Sequence, residues 1–247
     1  MVDQTTVRTC AQRTLPDCGP RSDSDTKMQY FPIFLDLEAH ACLVIGGGSV
    51  AERKIEALLK AQGQVTVISP TLTANLRSWA AEGRLTAHER PYRAGDLRGF
   101  SLVFAATDDE ALHEQIAAEA RKTGAFVNVV DRPALCSFIV PAIVSQGDLT
   151  LAISTGGASP ALAKKIRRTL EQSFGPEYDL ALQLLARVRT RATNKKLSPQ
   201  ERQQRFTALV ESPLLDYLRE RQVDKLNALL RETIGEGCTL EELGLSL

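Results

Sequence analysis

The run Ala41-Cys42-Leu43-Val44-Ile45-Gly46-Gly47-Gly48 constrains this chain more than any other segment. A short, continuously apolar stretch reads as a strand covered on both faces. It runs straight into three glycines, and Val50, Ile55, Leu58 and Leu59 then recur at helical spacing until Gly63. Gly46-Gly47-Gly48-Ser49-Val50-Ala51 fits the pattern G-x-G-x-x-G/A. Gly46 permits a tight turn, Gly48 lets the backbone approach a pyrophosphate, and Ala51 is small enough for close helix–strand packing. Phosphates would rest on the free N–H groups of Ser49 and Val50 at the start of that helix, helped by its dipole.

The segments that follow repeat the same alternation. Val65–Ile68 is a strand closed by Ser69-Pro70, and Leu72, Leu76, Trp79 and Ala80 make a helix stopped by Gly83. A strand around 84–89, a strand over Ser101–Ala106, a helix carrying Leu112, Ile116 and Ala120, and a strand over Ala125–Val130 complete the series. Thr107 and Asp108 are placed to cap that helix. Strands alternating with helices of this length predict βαβ units and a Rossmann-type parallel sheet. The expected fold class is α/β, with a small α+β segment and an all-helical C-terminal region behind the sheet.

After Asp131-Arg132-Pro133 the pattern changes. Residues 137–145 and 149–154 read as a hairpin about Gln146-Gly147-Asp148. Ser159 is a helix N-cap with Pro160 at the first helical position, ahead of Leu162, Ile166 and Leu170. From about 176 onward the chain reads as helix: Leu180, Leu184 and Val188 form one stripe, Ser198–Glu201 a capping box, and Leu226, Leu229 and Leu230 another stripe ended by Gly235. The expected division is a polar, disordered leader over 1–27, a dinucleotide-binding domain over 28–136, a small α+β segment over 137–174, to which the likeness described below gives dimerisation, and a helical domain over 175–247. Met28 could itself be the native start.

Composition narrows the partners. Lys+Arg and Asp+Glu balance at 30 each, which points to neither nucleic acid nor a membrane surface. No stretch reaches the roughly 18 apolar residues of a membrane span, and the leader lacks an apolar h-region. The five cysteines (10, 18, 42, 136 and 238) are odd in number and form no C-x-x-C pair, which fits a reducing cytoplasm. Cys42 and Cys136 sit in apolar runs as small hydrophobes. His40, His88 and His113 have no metal-ligand spacing, so no metal site is expected.

One part of the dinucleotide fingerprint is missing. An acid about 20 residues on would bond the ribose 2′-hydroxyl, but the second strand ends Ile68-Ser69-Pro70-Thr71. Pro70 and Thr71, with Thr107 at the end of the fourth strand, are the expected cofactor neighbours, and hydroxyls discriminate NAD from NADP less firmly than an acid.

Phe31-Pro32-Ile33-Phe34, GGGSVAERK (46–54), AATDD (105–109), NVVD (128–131), SFIVPAIV (137–144) and STGGASP (154–160) occur in order. Together they resemble the precorrin-2 dehydrogenase family, which includes the dehydrogenase/ferrochelatase modules of siroheme synthases. The likeness runs from about Tyr30 to Leu170 and more loosely through the helical tail. It implies NAD-dependent oxidation of precorrin-2 to sirohydrochlorin, insertion of Fe2+ in some members, and a homodimer formed through the hairpin segment. Asp131 matches the family's functional aspartate. Read alone, Asp131-Arg132-Pro133 is better taken as a turn, and it is the resemblance that reverses this; Asp131 does stand at the carboxyl end of a parallel strand, where α/β sheets bind ligands. The same likeness assigns Asn128, Ser154, Thr155 and Gly156 to the tetrapyrrole substrate. The family's phosphorylated serine falls where Thr155 stands. Lys164, Lys165, Arg167 and Arg168 are a solvated basic face unless they meet substrate carboxylates. Two rival readings survive: a non-catalytic NAD(H) sensor signalling through the helical tail, and a chelatase or tetrapyrrole carrier with a vestigial glycine turn.

Overall fold

In the computed structural model the described residues are 30–38, 40–193 and 198–247. The proposed leader and the alternative start at Met28 lie outside them. Residues 30–34 carry no helix or strand, and Leu35–Leu247 forms one compact unit.

Five strands make the central sheet: β1 (Ala41–Ile45), β2 (Gln64–Ile68), β3 (Thr86–His88), β4 (Leu102–Ala105) and β5 (Phe126–Val129). Every pairing is parallel and the order is β3-β2-β1-β4-β5. The chain therefore reverses its direction of travel across the sheet between β1 and β4, and such a switch leaves a crevice at the strands' carboxyl ends. Apolar residues on both faces explain the continuous runs. Cys42, Val44, Val65, Val67, Leu102 and Phe104 face α1 (Ser49–Lys60) and α2 (Ala74–Ala81) through Ala51, Ile55, Leu58 and Leu76. Leu43, Ile45, Ile68, Val103, Ala105, Val127 and Val129 face α3 (Glu110–Thr123) through Ile116 and Ala120.

Two boundaries differ from the sequence expectation. α3 is capped by Asp109, whose side chain accepts from the Leu112 N–H at 3.0 Å, not by Thr107 or Asp108. Thr107 instead accepts from the Asp109 N–H. α1 is followed by Gln62 in the left-handed region at φ 59°, while Gly63 sits close to the helix end: a Cβ there would lie 3.2 Å from the Leu58 carbonyl oxygen, a tight contact.

A two-residue turn joins β6 (Ala142–Gln146) and β7 (Leu149–Ile153), with Gln146 opposite Leu149. The first expected strand starts later than read, because 137–141 ends in Pro141, which cannot donate to a ladder. α4 (Pro160–Ser173) follows, capped by Ser159 as expected. Its buried residue is Ala163, however, and Leu162 is 48% exposed.

The tail is helical: α5 (Glu177–Thr193), α6 (Pro199–Glu211), α7 (Leu214–Arg219) and α8 (Val223–Thr233). Leu184, Val188, Leu209, Leu218, Leu226 and Leu230 build its own core. The Ser198 capping box on α6 is present with both hydrogen bonds. Among the described residues no helix is long and apolar enough to cross a membrane, and no cluster of His, Cys, Asp and Glu could hold a metal ion.

Candidate functional site

Two cavities open along the carboxyl edge of the sheet. The first is about 410 Å³ and lies at the topological switch. Ile45 and Gly46 from the end of β1, Ile68, Ser69 and Pro70 from β2, and Thr107 and Asp109 from β4 line it. Pro91 and Tyr92 close one side. The Tyr92 hydroxyl donates to Glu119 at 2.6 Å, and the other Glu119 oxygen accepts from the Gly95 N–H at 2.8 Å. Burial first, and then the Glu119 carboxylate, push the Tyr92 hydroxyl far above its ordinary range, so it stays a fixed donor. That brace holds the β3–β4 loop beside the cleft.

The three glycines do different things. At Gly46, φ is +118° and a Cβ would lie 2.1 Å from the Ala106 carbonyl oxygen. A Cβ on Gly47 would lie 2.0 Å from the Thr71 carbonyl oxygen, and its own carbonyl accepts from the Thr73 N–H at 3.0 Å. Gly48 is the N-cap of α1, has no positive φ, and nothing stands within 4 Å of where its Cβ would be. No side chain caps this helix. Its first N–H groups therefore face open space beside a residue without a side chain, and this donor set fits a pyrophosphate. Of the expected cofactor neighbours, Gly46, Pro70 and Thr107 line the cleft. Gly47, Gly48, Ser49, Val50 and Thr71 are not among its lining residues: Gly48 to Val50 start α1, while Gly47 stands against the Thr71 carbonyl.

The second cavity, also about 410 Å³, gathers Asn128, Asp131, Ser154 and Thr155, four of the five residues assigned to catalysis and substrate. Gly157 takes the place expected of Gly156. Lys164, Lys165, Arg167 and Arg168 do not line it, and Arg167 pairs with Glu171.

Asp131 has φ +58°, the left-handed region that Asp tolerates better than most residues. The surrounding turn is tied down. The Cys136 thiol accepts from the Val129 N–H at 3.2 Å and lies 3.3 and 3.4 Å from the Val129 and Arg132 carbonyl oxygens. Arg132 swings away to Glu110 and Glu114 on α3. Asp131 itself is exposed, and among the described residues its carboxylate holds no hydrogen bond or ion pair. Asn128 is partly committed, since its amide donates to the Phe138 carbonyl at 3.1 Å. Ser154 accepts from the Gly156 N–H and Thr155 from the Ser159 N–H, so both hydroxyls keep their own proton to donate.

Sequence reasoning overlooked Lys54 and Cys136, which also line this cavity. The signal for Lys54 was available: it falls at i+3 from Ala51 and i−4 from Leu58, on the sheet-facing stripe of α1. Cys136 gave no signal beyond its apolar neighbours.

Comparison with known proteins agrees with this geometry. Residues 33–142 match the family model described as "Putative NAD(P)-binding", and residues 146–173 match "Sirohaem biosynthesis protein central". The siroheme synthase of Nitrosococcus oceani is 35% identical over 87% of this chain and 46% of its own length. That of Pseudomonas paraeruginosa is 41% identical over 85% of this chain and 45% of its own. The chain thus spans less than half the length of these curated relatives. A solved structure titled "SirC, precorrin-2 dehydrogenase" superposes with a TM-score of 0.69 at 29% identity, covering 79% of this chain and all of that one.

Proposed function

We infer, from the premise that this chain belongs to the siroheme-biosynthesis family of NAD(P)-binding proteins, that it oxidises precorrin-2 to sirohydrochlorin with NAD. The observation that carries this reading is the second cavity, where an unpaired Asp131 carboxylate stands with Asn128, Ser154 and Thr155 along the edge that also bears the dinucleotide turn. When bound, the nicotinamide takes up the hydride. The chain's own part is to hold the pyrophosphate on the N–H groups at the start of α1, with Gly48 leaving room for it. Asp131 accepts the proton that leaves the substrate with each hydride. The Ser154 and Thr155 hydroxyls donate to substrate carboxylates.

NAD fits better than NADP. The residues lining the first cavity include no Lys or Arg, so a 2′-phosphate would find Asp109 there and no cation. The same unpaired Asp131 can take a pyrrole proton as Fe2+, the second substrate, enters the macrocycle, which supports a ferrochelatase step. The assembly we propose is a homodimer through β6–β7, working in the cytoplasm. Ile143 is exposed on this hairpin and Val140 just before it, and the two-stranded sheet leaves free edges for pairing.

The test supplies enzymatically made precorrin-2 without oxygen, first with NAD and then with Fe2+ added. NADH should appear in the first stage and the siroheme spectrum in the second. Asp131→Asn keeps the side-chain shape and should lower dehydrogenation by about 10² or more. Undiminished turnover in that variant removes Asp131 from the reaction, and absence of NADH with the parent protein removes the dehydrogenase reading itself.

A further inference from the structure

Lys54 is out of place for an ordinary surface lysine. It lies on the stripe of α1 whose neighbours Ala51, Ile55 and Leu58 are buried against the sheet, and it is itself half-buried. Its ammonium stands 5.7 Å from the centroid of the Phe104 ring, which Phe138 meets edge-on from another side. Among the described residues no carboxylate pairs with it, and no hydrogen bond holds it. Lys60, at the end of the same helix, has an ordinary partner in Glu56 at 2.8 Å. Burial, followed by the nearby Arg53 charge, pushes the Lys54 ammonium below its usual range, which is the cost of holding a desolvated cation without a counter-ion.

The cavity explains the placement. Lys54 and Arg132 are the two cations that line it, and Arg132 is already engaged by Glu110 and Glu114. Lys54 is therefore the cation left for a ligand. Its ammonium stands over the Phe104 ring, and the residue lines the cavity together with Asp131 and Thr155. A carboxylate entering there would restore the missing counter-charge in a partly desolvated setting, where a charge-assisted bond is stronger than at the surface.

We propose that Lys54 is the ionic anchor of the substrate cavity, receiving one carboxylate of a polycarboxylate tetrapyrrole and so fixing the macrocycle against Asp131. The proposal rests on the dehydrogenase reading above, and its test separates the two. Uroporphyrin I, a porphyrin with eight carboxylates, serves as the binding probe by fluorescence quenching, beside precorrin-2 turnover.

Lys54→Met should weaken uroporphyrin binding and raise the KM for precorrin-2 about tenfold, with kcat changed far less. NAD affinity should stay at the parent value, which also reports an intact fold. Lys54→Arg should recover most of the binding, and Lys54→Gln, closer to lysine in polarity, should behave like the methionine variant. Because the anchor is held unpaired for its ligand, Lys54→Met should also raise Tm by ~2–4 °C, a gain that a structural lysine would not give. If Lys54→Met and Lys54→Gln bind the porphyrin as the parent does while the parent turns precorrin-2 over, the anchor is wrong and the dehydrogenase reading stands. If the parent neither binds uroporphyrin nor makes NADH from precorrin-2, both fall together.

Discussion

Gly46 and Gly48 stand two residues apart in one motif, yet substitution should separate them cleanly. Gly46 combines φ +118° with a hypothetical Cβ 2.1 Å from a backbone oxygen, and neither can relax cheaply. Gly46→Ala should cost ~2 kcal/mol or more, read as a fall in Tm. Gly48 has ordinary dihedrals and open space beside it. Gly48→Val should leave Tm nearly unchanged but weaken NAD binding by an order of magnitude or more, because the methyls would occupy the pyrophosphate's place. Calorimetric titration with NAD checks this, and undiminished affinity would remove the glycine from the cofactor site. The motif pattern anticipated the tight turn at Gly46, and the cofactor role it gives Gly48 is what this titration decides. It could not show that Gly47 serves the Thr71 loop, because that contact joins two turns whose approach depends on the whole sheet. The position of Asp131 at a strand end was equally legible, while its left-handed backbone and its freedom from partners were not.

At the scale of elements, capping is local and was mostly readable. Ser198 and Glu201 exchange both bonds of the capping box, so Ser198→Ala should cost about 1 kcal/mol. A denaturant melt would register this as a lower midpoint with unchanged slope. The start of α3 was misplaced because Thr107, Asp108 and Asp109 are all able caps in a row. Which one serves is set by where β4 delivers the chain, since the Ala106 N–H is bonded to the Ile45 carbonyl at 2.7 Å. In α4 the periodic leucines suggested a face through Leu162, but the helix approaches β6 through Ala163, the smaller neighbour. Periodicity gives a helix an apolar arc, and the docking partner chooses within that arc.

Across the whole molecule, the helical tail is joined to itself by charge as well as by its leucine core. Glu177 at the start of α5 is 8% exposed and accepts from Arg219 of α7 at 2.9 and 3.2 Å. Burial alone would raise this carboxyl, but backbone donors and the Arg219 guanidinium outweigh it and hold it below the ordinary range. A depressed carboxyl contributes stability above the unfolded pKa of about 4.3 and loses it as pH falls through the folded value. The tail should therefore loosen in acid below about pH 4. Arg219→Met should cost ~1–3 kcal/mol at neutral pH by leaving the buried carboxylate unpaired. It should also flatten the acid limb of the stability profile, and a profile identical to the parent's would contradict this account. The pair is 42 residues apart in sequence, and no local pattern marks it.

What the sequence by itself determined is what short-range physics controls. A continuous apolar run must be a covered strand, three glycines must turn, and residues 3.6 apart must share a helix face. The Rossmann sheet, the dinucleotide turn and most caps follow from that, as does the family likeness carried by the ordered motifs. Only the tertiary structure decided which side chains meet. The reversal between β1 and β4 puts the glycine turn beside Thr107, and the segment after β5 brings Ser154 and Thr155 back over Asp131. The same packing turned Arg132 out to α3 and left Lys54 facing the cavity unpaired. Charge pairing depends on distances across the folded chain, so sequence patterns could name these residues without saying which would be satisfied and which left free.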